Sequence, residues 1–290
     1  MNEALYRQLD RDVQRLLREV AATVIKPAFN VCLTEPFCVK PDHSIVTDTD
    51  LRVQEFLKDH LVPLLPQSGF LGEEDADGDY MPSTGEWTWV VDPIDGTHNF
   101  ATQNIDFGTM VALWSNAEKK PKYGWIYLPM YDVMLSGGEG VGVTSNGEKI
   151  VPPHSATRKP IKEMSGILNY TSFGQAKDVM RYNGQIFSEV SDSSCAALKF
   201  AEIIVGKADF GAFGRAKLWD LCAGFALIDA IGGKASKIDG KPLELKAPGP
   251  KPEWCLAVHD RNTWQAVRDQ LFRDVKINSE EATSPELQIS

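Results

Sequence analysis

The 290-residue sequence lacks the features that mark secreted, membrane-spanning or nucleic-acid-binding proteins. Its five cysteines are odd in number and contain no C-x-x-C pair, which argues against a disulfide framework or a zinc knuckle and favours buried, reduced thiols. The formal net charge of -10 disfavours a broad phosphate-binding face. The first residues, Met1-Asn2-Glu3-Ala4, lack the basic start and apolar run that are typical of a signal peptide, and no apolar run approaches the ~18 residues of a membrane span. We therefore expect a cytoplasmic protein that binds neither membranes nor nucleic acids.

The remaining composition is that of an ordinary globular protein, with 43% hydrophobic and 24% charged residues. Apolar residues at helical spacing predict helices over 5–24 and 51–61. Short β-rich runs predict a largely antiparallel set of strands. They cover 69–72, 87–91, 110–114, 123–128 and 133–136. The 87–91 run is expected to stop at Asp92.

The second half of the sequence has a different pattern, in which helices and short strands alternate and 221–231 is the most apolar helix. This order predicts a layered α+β or α/β architecture. We expect one catalytic domain over 1–276, made of an α+β half (1–150) and an α/β half (151–276). The polar residues 277–290 predict a disordered tail.

Five carboxylates stand at the ends of apolar segments and outside any charge run. They are Asp50, Glu73, Asp92, Asp95 and Asp220. Carboxylates gathered at one point repel each other and raise each other's pKa, a conflict that hard divalent cations relieve. Paired Mg²⁺ ions can hold both the attacking and the leaving oxygen of a phosphoryl group. A D-x-x-D pair alone is a weak signal, but the following Gly96 and Thr97 could present backbone amides to a phosphate.

Several segments, in this order, resemble the signatures of the inositol monophosphatase family over roughly 5–275. They are Thr47-Asp48-Thr49-Asp50, Gly72-Glu73-Glu74, the run from Trp89 to Phe100, Trp219-Asp220-Leu221-Cys222-Ala223-Gly224 and Gly232-Gly233. The resemblance implies a layered αβαβα sandwich of the inositol monophosphatase/fructose-bisphosphatase type. It also implies a Mg²⁺-dependent, lithium-sensitive phosphomonoesterase that is commonly a homodimer and acts on a small phosphorylated metabolite.

The same resemblance implies roles for individual residues. A first Mg²⁺ would be bound by Glu73, Asp92 and the carbonyl of Ile94. A second would be bound by Asp92, Asp95 and Asp220, and a third would bind Glu73 through water. Asp50 and Thr97 would polarise the attacking water, with Glu73 also catalytic. The substrate-binding set would be Ile94, Asp95, Gly96, Thr97, Ser194, Cys195, Ala196, Phe213 and Asp220.

The substrate is less well specified, because Phe213 occupies a position where inositol phosphatases tend to carry an acid that grips hydroxyl groups. Inositol monophosphate is the leading interpretation. Phe213 and Arg215 make histidinol phosphate credible, and fructose 1,6-bisphosphate is a further alternative. A 3′-phosphoadenosine phosphatase ranks lower, since that activity usually accompanies Leu where Ile94 stands. A transcription-associated binding protein is the non-enzymatic alternative.

Overall fold

The computed structural model describes residues 3–29, 38–39, 45–75, 83–151, 159–245 and 253–275. Its α-helices are α1 (Glu3–Val20), α2 (Lys26–Phe29), α3 (Asp48–Leu61), α4 (Thr97–Ala101), α5 (Lys177–Gly184), α6 (Ala196–Ile204), α7 (Leu218–Ala230) and α8 (Trp264–Leu271). Its first nine strands are β1 (Cys38–Val39), β2 (Ile45–Val46), β3 (Gly69–Gly72), β4 (Trp87–Asp95), β5 (Gly108–Ser115), β6 (Lys120–Leu128), β7 (Val133–Gly138), β8 (Gly142–Ser145) and β9 (Glu148–Lys149). The others are β10 (Ser165–Leu168), β11 (Glu189–Asp192), β12 (Phe210–Ala216), β13 (Lys234–Lys237) and β14 (Glu253–Val258).

Two large sheets and three helical layers alternate, as the predicted αβαβα sandwich requires. The first sheet has seven strands in the order β3-β4-β5-β6-β7-β8-β9, and only its β3–β4 pair is parallel. The second has five strands in the order β11-β10-β12-β14-β13. Helices α1 and α3 cover the outer face of the first sheet, α6 and α7 lie between the sheets, and α5 and α8 cover the second sheet.

The outer helices follow the predicted apolar pattern. Leu9, Val13 and Leu16 of α1 are buried against the first sheet, whereas Leu5, expected on the same face, is exposed. Helix α3 begins with a capping box, in which the Thr47 hydroxyl and the Asp50 carboxylate exchange hydrogen bonds with each other's backbone amides. The cap fixes Asp50 at the first turn of α3.

Helix α7 is buried on every side, because it lies between two sheets. Its contact with the first sheet is so close that a Cβ atom added at Gly124 would lie 2.4 Å from the Ala223 carbonyl oxygen. Glycine at 124 therefore lets α7 approach the sheet, and this approach brings the N-terminal end of α7 to the first sheet.

Strand β14, which the sequence pattern did not predict, completes the middle of the second sheet between β12 and β13. Its side chains alternate between the α6–α7 layer and the core under α8. Within the described ranges, no helix is both long and apolar enough to cross a membrane. The division into two halves stays a prediction, and the tail at 277–290 lies outside the described residues.

Candidate active site

The site begins with a correction to strand β4, which does not stop at Asp92 but continues to Asp95. Asp92 pairs with Met110 and Asp95 with Gly108, so two residues of β4 face one residue of β5. This is a β-bulge, and Pro93 lies in it, where its missing amide donor costs nothing. Without the extra residue, side chains three positions apart would point to opposite faces of the sheet. The bulge turns both aspartates toward the α6–α7 layer and leaves Ile94 on the opposite face.

Asp92 and Asp220 meet where β4 faces the start of α7. Asp92 is only 1% exposed, and its Oδ1 atom is buried with no hydrogen-bond partner in the part of the chain that the structure describes. Burial, followed by the charges of Glu73, Asp95, Asp220 and Asp50, raises the pKa of Asp92 well above its usual range. The pKa of Asp220 is raised to about 6, first by burial and then by the Asp95 charge. A hydrogen bond with the Asp92 carboxyl group and one from the Lys217 amide oppose that rise.

Asp95 is held by the start of helix α6. Its Oδ2 accepts hydrogen bonds from the Ala197 amide at 2.6 Å and from the Cys195 thiol at 2.9 Å. Burial raises the pKa of Asp95 despite these donors and the nearby Lys199 ammonium, which lower it. The middle helical layer is thus linked to the bulge of β4 through one carboxylate.

Asp50, from the first turn of α3, and Thr97, from the start of α4, meet beside the bulge. The Thr97 hydroxyl lies 3.2 Å from Asp50 Oδ1 and 3.0 Å from the Ile94 carbonyl oxygen, so its single proton can be donated to either. The other Asp50 oxygen accepts from the Thr47 amide and hydroxyl. Burial raises the pKa of Asp50 to about 6.

Glu73 follows β3 directly, in a short 3-10 turn (Glu73–Asp75), and is half-buried. Strand β3 pairs in parallel with β4, so Glu73 emerges at the same edge of the sheet as Asp92. The Glu73 charge is the first of those that raise the pKa of Asp92. The structure therefore brings all five predicted acids to one region.

The donor set fits a hard divalent cation. In the described part of the chain, Asp92 Oδ1 is a buried oxygen without a hydrogen-bond partner, and burial together with neighbouring carboxylate charges raises the pKa of Asp92 and Asp220. Among the described residues, no three His, Cys, Asp or Glu side chains are already drawn together into a coordination shell. Asp95 and Asp220 instead accept hydrogen bonds from backbone amides. Mg²⁺ commonly takes only one or two carboxylates and completes its shell with water and substrate oxygens.

A cavity of about 200 Å³ is lined by Asp95 and Asp220, whereas Asp50 and Thr97 are not among its lining residues. Five of the nine predicted substrate-binding residues line it. They are Asp95, Ser194, Ala196, Phe213 and Asp220. The other four, Ile94, Gly96, Thr97 and Cys195, are not among its lining residues. Cys195 is fully buried, and its thiol contacts Asp95.

Lys199, which was not predicted as a site residue, lines this cavity although it belongs to the buried face of α6. Lys199 is 4% exposed, and its ammonium lies 4.7 Å from the centre of the Phe213 ring. Burial lowers its pKa, while the charges of Asp95, Cys195 and Asp220 oppose that change. A lysine within an otherwise apolar helix, one turn after Ser194-Cys195-Ala196, is the signal that could have identified it.

Comparison with solved structures identifies the class of fold. The chain superposes on the extragenic suppressor protein suhB from Bartonella henselae with a TM-score of 0.78 and 18% sequence identity, covering 91% of this chain and 98% of that one. The layered αβαβα sandwich predicted from the sequence is therefore confirmed.

Sequence comparison identifies the family. The model of the inositol monophosphatase family matches residues 5–271, and the chain belongs to this family. It is 32% identical over 216 residues to the 3′(2′),5′-bisphosphate nucleotidase CysQ of Shigella flexneri, covering 73% of this chain and 84% of that protein. It is 27% identical over 240 residues to the inositol-1-monophosphatase of Bacillus subtilis, covering 81% and 88%. The protein is thus a phosphoric monoester hydrolase, from a family that is generally Mg²⁺-dependent.

Proposed function

We propose that this protein hydrolyses a phosphate monoester of a small metabolite with Mg²⁺ held by Glu73, Asp92, Asp95, Asp220 and the carbonyl of Ile94. The observation that carries the proposal is the buried Asp92 Oδ1, which lies near other carboxylates and has no hydrogen-bond partner within the described ranges. A buried anionic oxygen in that setting is costly unless a cation compensates it. We propose two to three ions, as the family resemblance implies.

Bound Mg²⁺ would neutralise charge on the phosphoryl group and make a water easier to deprotonate. The Thr97 hydroxyl, within reach of both Asp50 and the Ile94 carbonyl, would orient that water and pass its proton toward Asp50. The raised pKa of Asp50, about 6, suits a proton acceptor near neutral pH. On the far side of the phosphate, Asp220 and the cavity beside it would receive the leaving group.

The phosphate itself would be held at the turn that follows the bulge. Gly96 has φ +86°, and a Cβ atom there would lie 3.0 Å from the Asp106 carbonyl oxygen, so the turn requires glycine. The next residue, Thr97, opens the short helix α4. Backbone amides of Gly96 and Thr97 are the donors that the family resemblance assigns to the phosphate.

The leading substrate candidate from the sequence is inositol monophosphate, which the similarity to an inositol-1-monophosphatase supports. A bisphosphate nucleotide is the second candidate, because the similarity to CysQ and the positively charged side chains of the cavity favour it. Histidinol phosphate and fructose 1,6-bisphosphate stay alternatives. The homodimer and the cytoplasmic location also stay predictions.

The proposal is tested by measuring phosphate release from these four substrates with Mg²⁺ and with a chelator. The variant Asp92→Asn removes the central ligand, and Asp178→Asn, on the exposed part of α5, is the charge-matched control. We expect Mg²⁺-dependent release that Asp92→Asn abolishes and Asp178→Asn preserves. A Mg²⁺-induced rise in melting temperature, lost only in Asp92→Asn, provides a readout independent of turnover. The proposal fails if the wild-type protein releases no phosphate from any of the four.

A further inference from the structure

The turn that carries Glu73 is held by side-chain acceptors on both sides. Glu73 opens the short 3-10 turn that follows β3 directly. Within the turn, the Asp75 carboxylate accepts a hydrogen bond from the Gly72 amide at 3.2 Å. From outside the turn, the Gln54 side chain of α3 accepts a hydrogen bond from the Glu74 amide at 2.9 Å. The backbone is therefore tied down immediately before and immediately after Glu73.

Gln54 is a polar side chain in the interior, only 6% exposed, on the buried face of α3. A buried amide oxygen needs a donor, and the Glu74 amide supplies one. The contact also depends on Gly72, because a Cβ atom there would lie 2.1 Å from Gln54 Oε1. The missing side chain at 72 thus leaves the space that the Gln54 carboxamide occupies.

Helix α3 also carries Asp50, one helical turn before Gln54, so the two side chains leave the same face of the helix. The Asp50 carboxylate lies 3.2 Å from the Thr97 hydroxyl. One face of one helix therefore contacts both Thr97 and the turn that carries Glu73. Through these contacts α3 connects the pair that would orient the attacking water to a predicted ligand of the cation.

The orientation of the turn matters because it contains two consecutive glutamates. After burial, the Glu73 charge is the largest contribution that raises the pKa of Asp92, and the Glu74 charge is among those that raise the pKa of Asp50. The two neighbouring carboxylates are thus close to different aspartates. A turn free to rotate would change which glutamate lies near Asp92.

We infer that Gln54 is a positioning residue for the cation, which keeps the Glu73 carboxylate near Asp92 by holding the Glu74 amide. This inference rests on the proposed function. Gln54 acts through the backbone of the turn, since its hydrogen bond is to the amide that follows Glu73. Partners that orient metal-binding side chains typically change metal affinity by about 10–100-fold. The role of Gln54 is therefore measurable as Mg²⁺ affinity.

The experiment measures the Mg²⁺ Kd by calorimetry, and kcat as a function of Mg²⁺ concentration, in three variants. Gln54→Met keeps the length of the side chain and removes the acceptor, whereas Gln54→Glu keeps an acceptor oxygen. Gly72→Ala disturbs the same contact from the other side, because its methyl group displaces the Gln54 carboxamide. Gln265→Met is the matched control, since Gln265 is exposed and bonds to Asp269 of its own helix, α8.

Gln54→Met and Gly72→Ala should each raise the Mg²⁺ Kd about tenfold. The double variant should lose no more affinity than the weaker single variant, because both substitutions remove one contact. Gln54→Glu should bind Mg²⁺ at least as tightly as the wild-type protein, and Gln265→Met should match it. Excess Mg²⁺ should restore most of the kcat of Gln54→Met, since Gln54 acts on the cation site and not on the phosphate.

The inference is overturned if Gln54→Met binds Mg²⁺ as tightly as the wild-type protein, even where its metal-free form melts at a lower temperature, because a purely structural role predicts that result. It is also overturned if Gln54→Glu loses as much affinity as Gln54→Met. Both results leave the proposed function standing, since the wild-type protein still binds Mg²⁺ and releases phosphate. A wild-type protein that releases no phosphate with Mg²⁺ would contradict the proposed function and this inference with it.

Discussion

The stability of the metal-free protein should fall as the pH rises from 5 to 8, and Mg²⁺ should reverse the fall. The four aspartates of the site all have pKa values above the usual range for that side chain. They are Asp50, Asp92, Asp95 and Asp220. A carboxyl group whose pKa is higher in the folded protein binds its proton more tightly there than in the unfolded chain. Its contribution to stability is complete below about pH 4 and is lost as the pH passes through the folded-state pKa.

The magnitude can be worked out for Asp50, which is fully buried. Its pKa rises from 3.8 to about 6. Each unit corresponds to about 1.4 kcal/mol, so ionising Asp50 costs the folded state about 3 kcal/mol. The other three titrate as a coupled group with Asp92 at its centre, so their costs do not simply add. Because this cost builds up from about pH 4, about 1.4 kcal/mol of it falls between pH 5 and pH 8, and we expect the total loss over that interval to exceed this share of Asp50.

The assay is urea unfolding at pH 5 and pH 8, each with a chelator and with Mg²⁺ at about a hundred times its Kd. Mg²⁺ at that excess should restore about 2.7 kcal/mol for each independent site at pH 8 and less at pH 5, where protons compete for the ligands. Sodium chloride at equal ionic strength is the control for screening. Asp178→Asn is the control for net charge, since Asp178 is exposed on α5.

The variant Asp50→Asn measures how much Asp50 alone contributes to the pH dependence of stability. It should reduce the change in metal-free stability between pH 5 and pH 8 by about 1.4 kcal/mol, whereas Asp178→Asn should leave that change as it is. Metal-free stability that is flat or increases between pH 5 and pH 8 would refute the reasoning, because the four carboxylates would then not be held at raised pKa values.

Three further predictions concern individual side chains of the site. Asp92→Asn should lower kcat on the order of a thousandfold. It should also make the metal-free protein more stable at pH 8, because it removes a buried charge, and a variant that unfolds at lower urea concentration would contradict this expected gain in stability. Thr97→Val should lower kcat by about 10²–10³-fold with little change in KM, whereas Thr97→Ser should retain most of the activity. If both variants lose the same activity, the Thr97 hydroxyl is not the group on which turnover depends. Cys195→Ala should weaken Mg²⁺ binding about 10–100-fold, because the Asp95 carboxylate loses a hydrogen-bond donor, and Cys195→Ser should restore the affinity. The affinities are measured by calorimetry, and equal values in all three proteins would show that the thiol does not orient Asp95.

Much of the fold could be predicted because the spacing of apolar residues along the sequence indicates which face of a helix or strand is buried. The helix over 51–61, the strand at 69–72 and the Asn146–Gly147 turn, where both residues have positive φ, appear as expected. Strand β14 was missed, since its apolar residues give no clear alternation and its position depends on pairing with β12 and β13. Strand pairing between distant segments is a tertiary property that local spacing does not encode.

The sequence by itself determined the family, the five carboxylates and their order along the chain, because signature segments need only side-chain identity and local spacing. Tertiary structure decided how the acids come together. The bulge at Pro93 turns Asp92 and Asp95 to the same face of the sheet, and it forms only through register with β5. Tertiary structure likewise placed Lys199 beside Phe213 and Arg215, since these residues lie on different elements. The residues that act on the reacting phosphate could therefore be predicted from the sequence. The charge of the leaving-group cavity depends instead on how α6 packs against β12.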